Sequence, residues 1–194
     1  MRGIIVFVKN PELGKVKTRL AATLGNEKAL EIYNKLVDLT RKILLEVEDT
    51  NKYVFYSSFV DDKDDWSNDI FEKRLQVSGG LGDRVTEAVQ RIFETCDQVV
   101  IIGSDCPQLT SIGIKEAFNK LHTNNVVIGP SHDGGYYLLG MDEYYPELFQ
   151  GITWSTDTVC EETLNKAEEL NLKTIKLRVL SDVDYEEDWV KYGF

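Results

Sequence analysis

Apolar and polar positions along the chain fall into two alternating patterns. Short, continuously apolar runs are typical of strands buried on both faces, whereas apolar residues at every third or fourth position indicate helices with one apolar face. The apolar runs predict strands at "GIIVFVK", "KYVFYSS", "QVVIIGS", "NVVIGP", "GYYLLG" and "LKTIKLR". Helices are predicted over residues 26–48, 64–74, 83–95, 111–122, 157–170 and 185–192. This alternation predicts one α/β domain over residues 1–194, in which helices cover both faces of a mostly parallel sheet.

The charge of the chain narrows the range of partners. Its 194 residues include 22 basic and 33 acidic side chains, for a formal net charge of −11. Such a charge repels phosphodiester backbones, so we expect no nucleic-acid partner. The acidic cluster "VDDKDDW", residues 60–66, is expected to be a solvated helix entrance rather than a metal site.

Two further features bear on the compartment. No apolar run approaches the roughly 20 residues that a membrane helix needs, and the first apolar run is predicted to be a core strand rather than part of a secretory signal. The three cysteines, Cys96, Cys106 and Cys160, are widely spaced and form no C-x-x-C pair. This pattern predicts neither a disulfide framework nor a zinc site. We therefore expect a cytoplasmic protein without a membrane partner.

A basic segment follows the first predicted strand, in "FVKNPELGKVKTRLA", residues 7–21. If a helix begins at residues 15–20, Lys15 and Arg19 share one of its faces. An ammonium and a guanidinium beside the free N–H groups of a helix start make a binding site for phosphates. The segment matches neither the P-loop nor the dinucleotide-binding pattern. A solvated basic helix end is the alternative, but it leaves the concentration of positive charge in an acidic chain unexplained.

An aspartate ends the apolar run "VVIIGSDCP". Asp105 either caps a turn before Pro107 or holds a hard cation such as Mg²⁺ through its oxygen atoms, and we favour the cation. The neighbouring Cys106 is expected to be a buried, inert thiol, because the sequence places no base beside it.

A glycine pair follows the predicted strand that ends in "GPSHDGGYYLLG". Gly134 and Gly135 permit positive φ and a close approach of the backbone to a ligand, which Asp133 and His132 could contact. A tight hairpin turn explains the Asp-Gly pair equally well. The fragment alone leaves both interpretations open.

Two further carboxylates lie near the end of the chain, in "LRVLSDVDYEEDW". Asp182 and Asp184 are two residues apart on an extended segment, so we expect both to point the same way. Asp184 also fits the N-cap of a helix, with Glu187 completing a capping box. A cap and a ligand are compatible roles.

Six motifs in order carry a resemblance to a known family. They are "K-x-P-x-x-G-x-x-K-T-R-L", "L-G-x-R", "G-S-D-C-P", "G-P-x-x-D-G-G-Y-Y-L-L-G", "W-S-T" and "D-V-D-x-x-x-D", between about residues 4 and 189. Together they resemble the bacterial glycosyltransferase-like family often found beside radical SAM and selenium-related genes. That family belongs to the nucleotide-diphospho-sugar transferases, which have the GT-A fold. The chain is more distantly similar to guanylyltransferases for 2-phospholactate and for the molybdenum cofactor, whose basic loop ends in "K-S-R-L".

The resemblance implies a fold and a set of site residues. The fold would be a Rossmann-like three-layer sandwich with a mostly parallel mixed sheet. Residues facing the nucleotide phosphates would be Lys9, Lys15 and Arg19, and the Mg²⁺ or Mn²⁺ ligands would be Asp105, Asp182 and Asp184. Gly80, Leu81, Gly82 and Arg84 would line the base or direct the ligand, while Asp133, Gly134 and Gly135 would also contact the nucleotide. Sugar nucleotidyltransferases usually open with a glycine-rich "G-x-G-T/S-R" loop. The corresponding loop of this chain contains a single glycine, Gly14.

The expected activity is nucleotidyl transfer. An acceptor oxygen, from a phosphate or a hydroxyl group, would attack the α-phosphate of a nucleoside triphosphate and expel pyrophosphate, with Lys15, Arg19 and Asp105 as the catalytic residues. The number of cations in the basic segment favours a triphosphate over a diphosphate donor. Glycosyl transfer from a nucleotide sugar is the alternative on the same fold, and a nucleotide-binding module without turnover is the alternative of another class. The base, the acceptor, the pathway and the oligomeric state stay open.

Overall fold

Seven strands form one mixed sheet in the computed structural model, which describes all residues from 1 to 194. The strands are β1 (Arg2–Val8), β2 (Asn51–Tyr56), β3 (Phe71–Leu75), β4 (Gln98–Ile102), β5 (Val126–Pro130), β6 (Tyr136–Met141) and β7 (Thr174–Lys176). Their order across the sheet is β3-β2-β1-β4-β6-β5-β7. Only β6 runs antiparallel to its neighbours, β4 and β5. The prediction of a mostly parallel sheet is confirmed.

Helices cover both faces of this sheet. They are α1 (Thr18–Leu24), α2 (Asn26–Leu45), α3 (Leu81–Phe93), α4 (Ser111–Lys120), α5 (Val159–Glu169) and α6 (Glu186–Tyr192), with a short 3-10 helix at Pro146–Phe149. One core cluster packs α2 and α4 against the sheet, and the other packs α3 and α5 against the opposite face. This is the expected three-layer sandwich. None of the helices has the length and apolar character that a membrane crossing requires.

The continuous apolar runs form strands because both faces of the sheet are covered. Along β1, Ile4 and Val6 belong to one core cluster, whereas Ile5 lies in the other. Successive side chains of a strand point to opposite faces, so a strand between two helical layers needs apolar residues at every position. The same rule accounts for β4, in which residues 99–102 are all buried.

The predicted helix over residues 64–74 was wrong. Residues 61–70 form turns and bends, and β3 follows them at the edge of the sheet, parallel to β2. Phe71 is the only buried residue of this strand and packs edge-on against Trp66, with ring centroids 4.8 Å apart. A strand that buries one residue leaves no periodic signal in the sequence.

The acidic cluster before β3 is anchored rather than fully solvated, and it does not begin a helix. The Lys73 ammonium lies 2.6 Å from Asp64 Oδ1, and only 4% of the lysine side chain is exposed. The hydroxyl of Tyr56 donates a hydrogen bond to the other oxygen of Asp64. One member of the cluster therefore holds the loop against the sheet, a role that the charge pattern did not indicate.

Candidate functional site

The candidate site lies at the carboxyl ends of β1 and β4, where ligands bind in open α/β sheets. Asp105 follows β4, and a segment after β7 returns to lie beside it. In this segment the Leu180 N–H donates to the carbonyl of Pro130, and the Val183 N–H donates to the carbonyl of Asp105, at 3.1 and 3.0 Å. These bonds bring the C-terminal carboxylates to the end of β4.

Val183 explains how the two C-terminal aspartates are oriented. Its side chain is fully buried in a small cluster with Leu20 of α1 and residues of α2. In an extended segment, neighbours on either side point away from such a residue. Asp184 contacts Lys17 and Arg19, and Asp182 lies close enough to Asp105 for its charge to affect the Asp182 carboxyl.

Lys17 is the central cation of the site. Its Nζ lies 2.9 Å from Asp105 Oδ2 and 3.2 Å from Asp184 Oδ1, and only 5% of its side chain is exposed. Burial alone would lower the pKa of Lys17, but the charges of Asp105 and Asp184 outweigh burial and raise the pKa above its usual value. Lys17 is therefore an ammonium ion held between two carboxylates.

Sequence reasoning missed Lys17, although a signal for it was present. The "KTRL" motif begins at residue 17. The spacing of a helix through Arg19 predicted Lys15, four residues earlier, as its partner instead. The structure removes the basis for that choice, because α1 begins at Thr18 and Lys15 lies outside it.

Lys15 and Arg19 have different surroundings. Lys15 pairs with Glu12, and 71% of its side chain is exposed. Arg19 Nη1 lies 3.2 Å from Asp184 Oδ2, and its guanidinium stands 5.7 Å from the centroid of the Tyr185 ring. Of the two residues predicted to bind phosphate together, only Arg19 reaches the carboxylates.

The backbone at Lys17 is in the left-handed conformation, with φ 46° and ψ 47°. This conformation costs a residue other than glycine roughly 1–2 kcal/mol. Its neighbours Val16 and Leu20 are both buried, which fixes the chain on either side. The loop therefore fixes the backbone from which the lysine side chain extends toward the carboxylates.

Asp105 has one oxygen paired and one without a partner. Oδ2 contacts Lys17, whereas Oδ1 is buried and accepts no hydrogen bond. Such an atom does not cap the following turn, which was the alternative interpretation of this residue. The neighbouring Cys106 is buried, and burial together with the charge of Asp182 raises its pKa to about 12, so it stays a thiol near neutral pH.

Asp182 is the most strongly perturbed carboxyl group of the site. Burial, followed by the charges of Asp105 and Asp133, raises its pKa to about 7. Several carboxylates thus interact where Lys17 and Arg19 are the only cations in contact with them.

The predicted capping box of Asp184 and Glu187 was wrong. Helix α6 begins at Glu186, and Asp188 accepts the backbone N–H groups of Asp184 and Tyr185, at 3.1 and 2.8 Å. The carboxylate of Asp184 is therefore free to contact Lys17 and Arg19 instead of the helix start.

The carboxylates suit a divalent cation by their chemistry. Carboxylate oxygens are the ligands that Mg²⁺ and Mn²⁺ prefer, and Asp105 Oδ1 is a buried oxygen atom that lacks a partner. In the present arrangement, no three His, Cys, Asp or Glu side chains are spaced so that they could hold a metal ion. The ammonium of Lys17 lies between Asp105 and Asp184.

The glycine pair forms a hairpin turn between β5 and β6, in which Ser131 N–H donates to the carbonyl of Gly135. Gly134 has φ 87°, and a Cβ added there would stand 1.9 Å from the carbonyl oxygen of Asp157. The close approach at Gly134 is thus to the chain itself. Asp133 accepts hydrogen bonds from the Ser131 hydroxyl and from Gly135 N–H within the same turn.

The remaining predicted nucleotide contacts surround the start of α3. Gly80 N–H donates to Asp83 at 2.9 Å, and Arg84 Nε donates to the carbonyl of Gly79 at 3.0 Å. A Cβ added to Gly82 would stand 2.2 Å from Trp154 Nε1, so the segment after the 3-10 helix lies directly against α3. A groove of about 710 Å³ runs along this contact, between α3 and residues 146–154.

Lys9 lies apart from the carboxylates. Its backbone N–H and carbonyl both bond to the Tyr33 hydroxyl, and its side chain is exposed. None of the hydrogen bonds or ion pairs connects Lys9, Gly80, Gly82 or Arg84 with the carboxylates around Lys17.

Comparisons with known proteins agree with this fold. Residues 41–156 match the sequence model of the family described as "Uncharacterized protein conserved in bacteria (DUF2064)". A crystal structure from Desulfovibrio desulfuricans G20, provisionally named a nucleotide-diphospho-sugar transferase, is 33% identical in sequence with a TM-score of 0.87. The match covers 95% of this chain and 82% of that one.

Two nucleotidyltransferases are similar in fold alone. One is 4-diphosphocytidyl-2C-methyl-D-erythritol synthase from Anaerococcus prevotii DSM 20548, at 12% identity and TM-score 0.63, over 99% of this chain and 94% of that chain. The other is the inositol-1-phosphate CTP transferase from T. maritima, at 13% identity and TM-score 0.63, over 97% and 91%. The overall fold of this chain is thus that of the nucleotide-diphospho-sugar transferases.

Proposed function

The chain belongs to the DUF2064 family of bacterial proteins, and we propose that it is a nucleotidyltransferase. It would move a nucleoside monophosphate from a nucleoside triphosphate to a small acceptor that carries a phosphate or hydroxyl group, with release of pyrophosphate. The similarity to a provisionally named nucleotide-diphospho-sugar transferase, and the fold shared with two nucleotidyltransferases, support a transferase in general.

One observation carries the proposal. Lys17 and Arg19 meet Asp105 and Asp184 at the carboxyl ends of the central strands. Two cations two residues apart suit an extended polyphosphate, since an ammonium acts as a point charge while a guanidinium binds two oxygen atoms at once. A solvated basic helix end would not bury its lysine between two aspartates.

The residues of this chain act by position and charge. The acceptor oxygen forms a bond to the α-phosphorus while the bond to the pyrophosphate oxygen breaks, and negative charge builds up on the departing pyrophosphate. Lys17 and Arg19 stabilise that charge. Removing one donor of this kind typically costs roughly 2.7–4 kcal/mol in the transition state.

A divalent metal ion and two exposed lysines would add positive charge around the bound nucleotide. Mg²⁺ or Mn²⁺, held by Asp105 and Asp184 with Asp182 beside them, would supply further positive charge at the phosphate oxygens. Lys9 and Lys15, which are both exposed, would strengthen the field that attracts the nucleotide. We also propose the cytoplasm as the compartment, because all three cysteines are buried and unpaired.

Glycosyl transfer from a nucleotide sugar is the second candidate. The 33% identical neighbour favours it, since its provisional name is nucleotide-diphospho-sugar transferase. The resemblance of the "KTRL" segment to the guanylyltransferase loop favours nucleotidyl transfer. The two reactions differ in their leaving groups, pyrophosphate in one and a nucleoside diphosphate in the other.

The test compares those leaving groups. The protein is incubated with Mg²⁺ and a metabolite extract, together with either the four nucleoside triphosphates or a set of nucleotide sugars. Nucleotidyl transfer predicts pyrophosphate that depends on the enzyme and on the extract, with little nucleoside diphosphate from the sugars. The opposite pattern would establish glycosyl transfer, and nucleotide binding without either product would establish a binding module.

A further inference from the structure

We propose that Lys17 is an internal counter-ion that keeps a divalent cation off Asp105 and Asp184 until a polyphosphate draws the lysine away. The inference deepens the proposed function and rests on it for the identity of the polyphosphate. Its consequence is an order of binding, in which the metal ion enters with the nucleotide or after it.

Lys17 occupies the space in which a metal ion shared by Asp105 and Asp184 would bind. Its nitrogen lies within 3.2 Å of both carboxylates, and the side chain is almost fully buried. A Mg²⁺ ion binds oxygen at about 2.0–2.1 Å, so an ion shared by Asp105 and Asp184 would occupy the same space as the ammonium. Two cations do not share that space, because they repel each other strongly at such distances.

The carboxylates are arranged around the ammonium of Lys17 and not around a metal ion. With Lys17 in place, the acidic groups are not spaced to hold a metal ion, although one oxygen of Asp105 is buried and lacks a partner. The donors are therefore present, but they are arranged around a monovalent cation. Withdrawal of Lys17 would leave the negative charge of Asp105 and Asp184 without its main counter-ion, which favours a divalent ion in its place.

Lys17 can leave the carboxylates without a change in the backbone. The buried Val16 and Leu20 hold the backbone on either side, so the change needs only the four-carbon side chain of the lysine to rotate. Arg19 is the exposed neighbour, with 60% of its side chain accessible, and is placed to meet an incoming phosphate first. A phosphate bound by Arg19 offers Lys17 new oxygen partners close to its present ones.

The proposal makes the two ligands cooperative. If a polyphosphate raises the affinity for the metal ion, the metal ion must raise the affinity for the polyphosphate by the same factor. The free protein should therefore bind Mn²⁺ weakly, despite carboxylates that suit it.

The experiment measures Mn²⁺ binding to the full chain without nucleotide, by electron paramagnetic resonance of free Mn²⁺. Lys17→Met removes the ammonium and keeps much of the length, and Lys15→Met is the matched control, since Lys15 is exposed and pairs only with Glu12. We expect Lys17→Met to bind Mn²⁺ at least about tenfold more tightly than the wild type, because no ammonium then competes with the metal ion for Asp105 and Asp184. The control should bind as the wild type does, and adding Asp105→Asn to Lys17→Met should abolish the gain.

Several results would overturn the proposal. One is equal Mn²⁺ affinity in the wild type and in folded Lys17→Met, and another is an equal gain in both single variants, which would indicate net charge alone. If Lys17→Met does not fold, the wild type and Lys17→Arg decide the matter. Both proteins must bind Mn²⁺ weakly. If either binds Mn²⁺ tightly, and Asp105→Asn abolishes that binding, then Lys17 does not keep the metal ion off Asp105.

The readout is separate from turnover. Failure of the nucleotide assay, with a gain of Mn²⁺ affinity in Lys17→Met, would leave the internal counter-ion intact and remove only the proposed reaction. Turnover of a nucleotide without a gain of Mn²⁺ affinity in Lys17→Met would refute only the counter-ion role of Lys17.

Discussion

The α-carbon of Gly134 lies so close to the carbonyl of Asp157 that an added Cβ would stand 1.9 Å from its oxygen. Cys160 N–H also donates to the carbonyl of Gly134 at 2.9 Å, so the start of α5 is fixed to the same turn. The glycine is therefore required by a contact within the chain as well as by its positive φ. This contact positions the segment that follows Trp154 over the hairpin that carries Asp133.

Gly134→Ala should destabilise the protein far more than Gly151→Ala. Both residues have positive φ, 87° and 74°, but nothing lies within 4 Å of a Cβ at Gly151. Backbone strain alone should cost Gly151→Ala about 1–2 kcal/mol. The clash should add about 1–3 kcal/mol for Gly134→Ala. Urea unfolding of both variants measures the difference, and equal losses would show that the turn moves freely away from Asp157.

Lys17→Gln should weaken the binding of a nucleoside triphosphate about tenfold or more, because a charged partner of the phosphates is lost. Lys15→Gln should change the affinity much less, since that side chain is exposed and paired with Glu12. Calorimetric titration with the triphosphate that gives pyrophosphate in the transfer assay measures both. A larger effect at Lys15 would move the phosphate site toward the start of the loop.

Asp182 should make the stability of the protein fall as the pH rises. Burial and neighbouring carboxylates raise its pKa to about 7, above the usual value of 3.8, so the folded state holds a proton that the unfolded state has lost. Its contribution to the free energy of unfolding therefore decreases between about pH 4 and pH 7 and is constant above. Asp182→Asn removes this dependence.

The measurement for Asp182 is the difference in unfolding free energy between Asp182→Asn and the wild type, at several pH values between 5 and 8. That difference should shift in favour of the variant as the pH rises, whatever constant offset the amide introduces. A difference independent of pH would contradict the raised pKa.

Lys73→Met should destabilise the protein by about 1–3 kcal/mol, because Asp64 loses its ion pair but keeps the hydrogen bonds from Tyr56 and Trp66. The side chain of Lys73 is 4% exposed, and that of its partner Asp64 is 23% exposed. Lys28→Met is the control, because its pair with Glu31 is exposed and should contribute no more than about 1 kcal/mol. Thermal unfolding compares the two, and similar losses would mean that Asp64 is solvated in the wild type.

Most of the fold could be predicted because covered strands leave a continuous apolar signal. Five strands and the mostly parallel sheet followed from that signal, and β7 was also predicted although it buries no residue. The strand Phe71–Leu75 could not be predicted, since one buried residue in five gives no period.

The candidate site was predicted less completely than the fold. Arg19 pairs with Asp184, and Lys17 links Asp184 to Asp105, so three of the residues that the motifs named lie close together. Lys17 was missed since spacing along a presumed helix does not register a left-handed residue before the helix begins. The pairing of Lys17 with Asp184, 167 residues away, is set by the return of the chain after β7, which no local pattern encodes.

That return has a consequence for how the protein is made. Residues 180–184 leave the ribosome after every strand of the sheet, and they supply Asp182 and Asp184 as well as the valine that packs beneath α1 and α2. A nascent chain can therefore build its sheet while it still lacks Asp182 and Asp184, two of the three carboxylates predicted to hold a metal ion. Until synthesis reaches those residues, Lys17 has Asp105 as its only acidic partner, so the site is assembled last.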